Sequence, residues 1–237
     1  ADAPPLDRTA PYLYYQPEVL RYLEAVSLVG APPVTVQPAL ALTAADLRAA
    51  AGVPDPRPGP LVVVHPGASD PRRRWPASSF ARVGDALARA GAGVVVVGDA
   101  AERPLVDEVA GLMSAPAPAC AGGLSLPGLV GLLGRATLVV GNDSGPLHLA
   151  EAVGTATVGV YWCGNLLTAG PVTRRRHRPV VSWRLACPVC GVDCTAGSCP
   201  HDASFVAEVP VGQVRGPALE LLAAERGGSA AACRPAI

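Results

Sequence analysis

At 237 residues the chain is long enough for one sizeable α/β domain or two small ones. Half its residues are hydrophobic and 16% are charged, which excludes a disordered chain, and a formal net charge of +0 excludes a surface built as a whole for nucleic acid or anionic membrane. No apolar run approaches the roughly 20 residues that cross a bilayer, and the opening ADAPPLDRTAPYLYY lacks a basic start and an apolar core, so the expectation is a soluble, cytoplasmic protein without a transmembrane segment.

Residues 1–60 read as connector helices and linker. PEVLRYLEAVSLVG forms a helix opened by Pro17 and stopped by Gly30, and TAADLRAAAG forms a shorter one capped by Thr43. Proline-rich connectors lie between and after them, ending in GVPDPRPGP. From Leu61 the pattern changes to strands alternating with helices. LVVVHPG, GVVVVG, TLVVG and TATVGVYW are apolar runs suited to strands buried on both faces, and APAC is a weak further strand. PASSFARVGDALARAG, AAERPLVDEVAGLM, SLPGLVGLLGRA (with Ser125 as cap) and GPLHLAEAVG are the helices between them. This alternation predicts βαβ units and a doubly wound, Rossmann-like parallel sheet over residues 61–185. Residues 186–237 supply a cysteine-rich loop, a final helix near Gly212 to Arg226 and a frayed end.

Ligands of such a sheet sit at the carboxyl ends of its strands, so the loops leaving the strands are the candidate site. In HPGASDPRRRWP, Gly67 and Ala68 let backbone N–H groups approach a ligand closely. Ser69 adds a hydroxyl, and Arg72, Arg73 and Arg74 add forked donors, the composition of a diphosphate clamp or of a solvated basic loop. All nineteen basic residues outside the histidines are arginine, so no lysine is available for that task. GNDSGPLHLAEAVG turns tightly from a buried strand at Asn142, Asp143, Ser144 and Gly145. Pro146 then presets a helix whose free N–H groups and dipole make an anion site, with His148 inside it; an ordinary capped helix with a buried histidine is the alternative. Glu102 stands roughly where dinucleotide folds place an acid on a ribose hydroxyl, and Leu126 stands where a flat base could slide against apolar side chains. Neither G-x-G-x-x-G nor G-x-x-x-x-G-K-[ST] occurs, which excludes the standard nicotinamide and P-loop signatures.

HPGAS followed by RRWP, the GDAAE loop and GNDSGPLHLAEAVGTATVGVY together resemble the C-terminal half of glycosyltransferase family 9, the family of the ADP-heptose:lipopolysaccharide heptosyltransferases. The resemblance runs from about Leu61 to Leu222. It implies the donor-binding domain of a GT-B fold. It also implies an inverting, metal-independent transfer of a heptose-like sugar from a nucleotide-sugar, ADP-linked, to a glycan or lipid-linked, lipopolysaccharide-type acceptor. By matching motif position, Asp143, Ser144, Gly145 and His148 would line the donor's phosphates and sugar. Arg73 stands where the family usually carries a phosphate-binding lysine, Glu102 where an acid meets the nucleoside, and Leu126 where the backbone lies by the base. Gly67, Ala68, Ser69 and Arg74 complete the expected donor set.

The chain departs from the family after the fifth strand, where YWCGNLLTAGPVTRRRHRP replaces a Gly-Pro-Thr-Asp-Pro type of turn. Its cluster Arg174, Arg175, Arg176 and Arg178 reads as a solvated run or as a face for an acidic acceptor. The family's catalytic base is an aspartate of an N-terminal domain. The acids before Leu61 (Asp2, Asp7, Glu18, Glu24, Asp46 and Asp55) lie in helices or linkers, so no catalytic base is expected in this chain. A nucleotide-sugar 2-epimerase-like enzyme and a non-catalytic nucleotide-sugar-binding module are the alternatives. Finally, CPVCGVDCTAGSCPH gathers Cys187, Cys190, Cys194 and Cys199, with His201 two residues on. This is a structural zinc site or a reduced or disulfide-paired loop, and in neither case the active site. Cys120, Cys163 and Cys233 are scattered and read as small apolar packing.

Overall fold

Valine-rich runs without polar alternation need cover on both faces, and they receive it. In the computed structural model, which describes residues 8–13, 15–56 and 58–227, six parallel strands form one sheet of order β3-β2-β1-β4-β5-β6. The strands are β1 (Leu61–His65), β2 (Gly93–Gly98), β3 (Ala119–Ala121), β4 (Leu138–Asn142), β5 (Ala156–Trp162) and β6 (His177–Ser182). Every residue of β1 and β4 is buried. Asp2, Asp7 and Cys233 lie outside the described residues.

The helices are α1 (Glu18–Ser27), α2 (Ala44–Ala49), α3 (Ala77–Arg89), α4 (Arg103–Leu112), α5 (Leu126–Arg135), α6 (Gly145–Ala152), α7 (Cys163–Ala169) and α8 (Val211–Gly227), with a 3₁₀ turn at Pro71–Arg73. One core layer joins α3, α4 and α8 to one face of the sheet through Phe80, Leu87, Val106, Val109, Val214 and Leu222. The other joins α2, α5 and α6 to the opposite face through Ala50, Leu132, Leu133, Leu147 and Tyr161. The final helix is therefore a layer of the same core. It contains Pro217 and still packs, with Val214 and Ala218 fully buried.

Two elements went unanticipated. The sixth strand, HRPVVS, pairs along its whole length with β5, from Thr157 opposite His177 to Trp162 opposite Ser182. Helix α7 bridges β5 and β6. A strand interrupted by Pro179 reads poorly in sequence, and only an edge position tolerates it; β6 is that edge.

The first sixty residues divide in two. Thr43 and Asp46 form a reciprocal capping box on α2, and α2 lies directly on α5. A Cβ built at Gly131 would stand 2.0 Å from the Asp46 carbonyl oxygen, so glycine is what lets the two helices approach so closely. Arg135 adds a hydrogen bond to the Ala50 carbonyl. Helix α1, by contrast, buries none of its residues, and Tyr22, Val26 and Val29 are exposed. Among the described residues no helix is long and apolar enough to cross a membrane.

Candidate functional site

The strand order reverses between β1 and β4, and the loops that follow them flank one crevice at the carboxyl edge of the sheet. Asn142, at the end of β4, locks those two loops together. Its side chain is fully buried, its Nδ2 donates to the Pro66 carbonyl at 2.7 Å, and its Oδ1 accepts from the Trp75 N–H at 3.0 Å. Above this clasp lies a cavity of about 500 Å³. It is lined by residues from four exits: Ala68, Ser69 and Arg73 after β1, Asp99 and Glu102 after β2, Leu124 to Leu126 where α5 begins, and Asp143 to Pro146 with His148 after β4.

The three consecutive arginines have three different partners. Arg72 pairs with Asp70, Arg74 Nε donates to the Ala68 carbonyl at 2.9 Å, and only Arg73 lines the cavity. Arg73 Nη1 stands 3.2 Å from Asp143 Oδ2, and its Nη2 donates to Ser69 Oγ at 3.0 Å. Gly67 and Arg74, expected as ligand contacts, thus shape the loop without lining the cavity. A Cβ at Gly67 would meet Glu102 Oε1 at 1.8 Å, so this glycine makes room for the carboxylate.

Asp143 is buried and holds two cations, Arg73 on Oδ2 and His148 Nε2 on Oδ1 at 3.1 Å. The hydrogen bond that the ring donates to Asp143, helped by Glu151 on the ring's other side, lifts His148 from 6.5 to about 9, so the ring is an imidazolium at neutral pH. Ser144 sits at the cap position of α6 but makes no side-chain cap. Its hydroxyl turns to the Asn142 carbonyl and to His65, leaving the positive end of the helix open toward the cavity. Arg73, His148 and that helix end together present N–H donors at one end of the cavity, where an anion can be held, with Asp143 and Glu151 behind the two cations and Asp99 and Glu102 on another wall.

His65 is a site residue to which the sequence assigned no task. It ends β1 and is buried, with Nε2 3.2 Å from Glu102 Oε2 and Nδ1 3.2 Å from Ser144 Oγ. One ring therefore ties together the exits of β1, β2 and β4. The His65 hydrogen bond is also the main reason that the Glu102 carboxyl sits below its ordinary value. Glu102 further accepts from the Asp99 N–H, while the far wall is apolar, with Leu124, Leu129 and a well-exposed Leu126.

The Arg174 to Arg178 run lies elsewhere. The Arg176 carbonyl accepts from the N–H of Thr157 near the start of β5, so this run meets the amino edge of the sheet, opposite the cavity. Arg176 is paired with Glu225.

A second cluster lies in the cysteine loop. One ligand atom each from Cys187, Cys190, Cys199 and His201 lies within 4.8 Å of all the others, so these four can hold a metal ion. His201 takes the place expected for Cys194, whose Sγ is 3.9 Å from Cys199 but outside that set. Cys187 is drawn down to about 6, chiefly by the backbone N–H of Cys190 and then of Val189. All six described cysteines are free thiols.

Comparison with known proteins places the chain among relatives. The model of glycosyltransferase family 9 (heptosyltransferase) matches residues 5–187. Lipopolysaccharide heptosyltransferase 3 of Escherichia coli is 35% identical over 103 residues, a stretch covering 42% of this chain and 30% of that relative. Among solved structures, a family 9 glycosyltransferase from Veillonella parvula superposes with a TM-score of 0.70 at 21% identity, covering 88% of this chain and 60% of the other. The E. coli ADP-heptose lps heptosyltransferase II does so at 0.65 and 20%, covering 82% and 56%. At those identities the two structures share the fold. The chain spans less than two thirds of the length of each of these three proteins.

Proposed function

Because the chain belongs to glycosyltransferase family 9, we propose that it is the donor-binding half of an inverting glycosyltransferase. The reaction moves a heptose-like sugar from an ADP-linked donor to a lipopolysaccharide-type acceptor. One observation carries this proposal. Arg73, His148 and the uncapped start of α6 converge on one cavity that also offers a carboxylate, Glu102, and a leucine wall.

In this reading the diphosphate lies over the start of α6, with Arg73 and His148 on its oxygens. Glu102 takes a ribose hydroxyl, and the base stacks along Leu124, Leu126 and Leu129. As the bond from the sugar carbon to phosphate oxygen breaks, negative charge grows on the leaving nucleoside diphosphate. Fixed cations and N–H dipoles in a sheltered cleft stabilise such charge without reorganising. Asp143 orients both cations. The base that deprotonates the acceptor hydroxyl is assigned to an acceptor-binding domain, and no metal is assigned to the chemistry. The cysteine loop is assigned a structural role. The name of the solved E. coli relative, an ADP-heptose enzyme, supports the choice of ADP.

Titration calorimetry of the chain with ADP-, GDP- and UDP-linked sugars tests the proposal. A measurable affinity strongest for the ADP-linked sugar is expected. Equal affinity for all three would remove the ADP assignment, and no binding by any of them would remove the donor-half assignment.

A further inference from the structure

From Trp183 to Ser204 the chain has no helix and no strand beyond one isolated bridge, Ala186 to Asp193. It buries a single side chain, that of Cys187, while Trp183, Leu185, Val189 and Val192 stay exposed. Apolar burial cannot hold so long a segment in one conformation, and segments in that position are held by cross-links or metals. The order that is present centres on the thiols. The Cys187 N–H donates to the Val192 carbonyl and the Gly191 N–H donates to the Cys187 carbonyl, with Gly191 at φ +74°. This tight turn aims Cys187 and Cys190 at one point, and the chain returns through Cys199 and His201 to the same point.

We propose that Cys187, Cys190, Cys199 and His201 bind one zinc ion, and that the ion clamps this segment onto the arginine loop of the donor cavity. Tetrahedral zinc with Zn–S near 2.3 Å spaces its ligand atoms about 3.8 Å apart, and Cys187 Sγ to His201 Nδ1 is 3.8 Å. Two disulfides, Cys187 with Cys190 and Cys194 with Cys199, would use all four thiols of the loop but would give the histidine nothing to do. Three thiolates and one imidazole make the loaded site singly negative, and Arg72, already paired with Asp70, lines the groove beside it together with Cys194, Gly197 and Ser198. Beyond His201 the chain runs straight into the donor loop. Ser204 Oγ donates to the Arg74 carbonyl at 2.7 Å, the Phe205 N–H donates to the Arg72 carbonyl at 2.8 Å, and the Phe205 ring stacks on Trp162. The zinc thereby fixes the loop that carries Arg73 without touching the cavity.

The metal half stands without the donor assignment, whereas the coupling half rests on it. The full chain, purified without added metal, should contain one zinc per molecule by mass spectrometry of metals. Exchange for cobalt should give the visible bands of a tetrahedral thiolate site. Cys199→Ser and His201→Ala should lose the metal, while His201→Cys and Cys194→Ala should keep it. Metal-free protein with thiols lost to disulfides, iron in place of zinc, or a site that needs Cys194 and not His201 would each overturn the assignment. Stripping the zinc should weaken binding of the ADP-linked sugar about fivefold, the low end of coupling between distinct sites. Equal affinity with and without zinc overturns the coupling, whereas zinc-loaded protein that binds no nucleotide-sugar overturns the donor assignment and leaves the metal site standing.

Discussion

Arg73 is the residue on which the anion site turns. It is the only one of three adjacent arginines to reach the cavity, because Asp70 and the Ala68 carbonyl engage its neighbours. Arg73→Ala should weaken nucleotide-sugar binding by about 1.5–3 kcal/mol, the scale of a hydrogen bond to a charged group, in the same calorimetry. His148 adds a pH dependence with a definite sign. Its ring is faced by Asp143 and Glu151, with Arg73 on the far oxygen of Asp143, and is charged in the folded protein up to about 9. Donor affinity should therefore fall as pH rises through about 9, and His148→Gln should lose that step. Protein stability should follow the same group, since its contribution is fully present below the unfolded value of 6.5 and is lost as pH rises through about 9. His177 works in the opposite direction. It is buried against Thr157 Oγ1, and burial lowers its pKa. Its contribution is present above 6.5 and disappears as pH falls from there through the lower folded value, so His177→Gln should flatten the acid side of a melting-temperature profile.

At the scale of elements, glycines and an asparagine decide how closely loops and helices approach. Gly131→Ala would drive a methyl group into the backbone of α2 at Asp46. The expected loss is about 1–3 kcal/mol of unfolding free energy by urea denaturation, the usual cost of overpacking. An unchanged midpoint would mean that α2 is not firmly seated on α5. Asn142→Ala would open the clasp between the β1 and β4 exits and leave the Trp75 N–H and the Pro66 carbonyl without their partner. Its cost should be about 1–3 kcal/mol, with a loss of donor affinity alongside. The cavity walls were legible in sequence because each lies directly after a strand. The use of each wall residue was less so, since Ser144 looks like a helix cap and bonds instead to His65 and to its own strand.

For the whole molecule, transfer needs donor and acceptor held in one closed cleft, and positioning of that kind supplies much of the acceleration. The described residues provide a cavity at the β1/β4 switch point and an α1 that buries nothing. The expected outcome is binding of the nucleotide-sugar without glycosyl transfer by the 237-residue chain. Transfer should appear when an acceptor-binding domain carrying a loop aspartate is joined to it and vanish when that aspartate is replaced. Transfer by the chain alone would place the base among the carboxylates described above.

The sequence by itself determined the parallel α/β sheet, five of its six strands, the capped helices and the two exit loops that face each other across the site. These follow from local periodicity, capping chemistry and the rule that loops after parallel strands share an edge. Tertiary structure decided which of Arg72, Arg73 and Arg74 faces the cavity, that His65 bridges three loops, and that His201 rather than Cys194 completes the metal cluster. It also decided that the edge strand of HRPVVS and the final helix belong to the one core. The reason is common to all of them. Each depends on partners distant in sequence, such as Asp143 for Arg73 or Glu102 for His65, and local pattern carries no record of which side chain will arrive there when the chain folds.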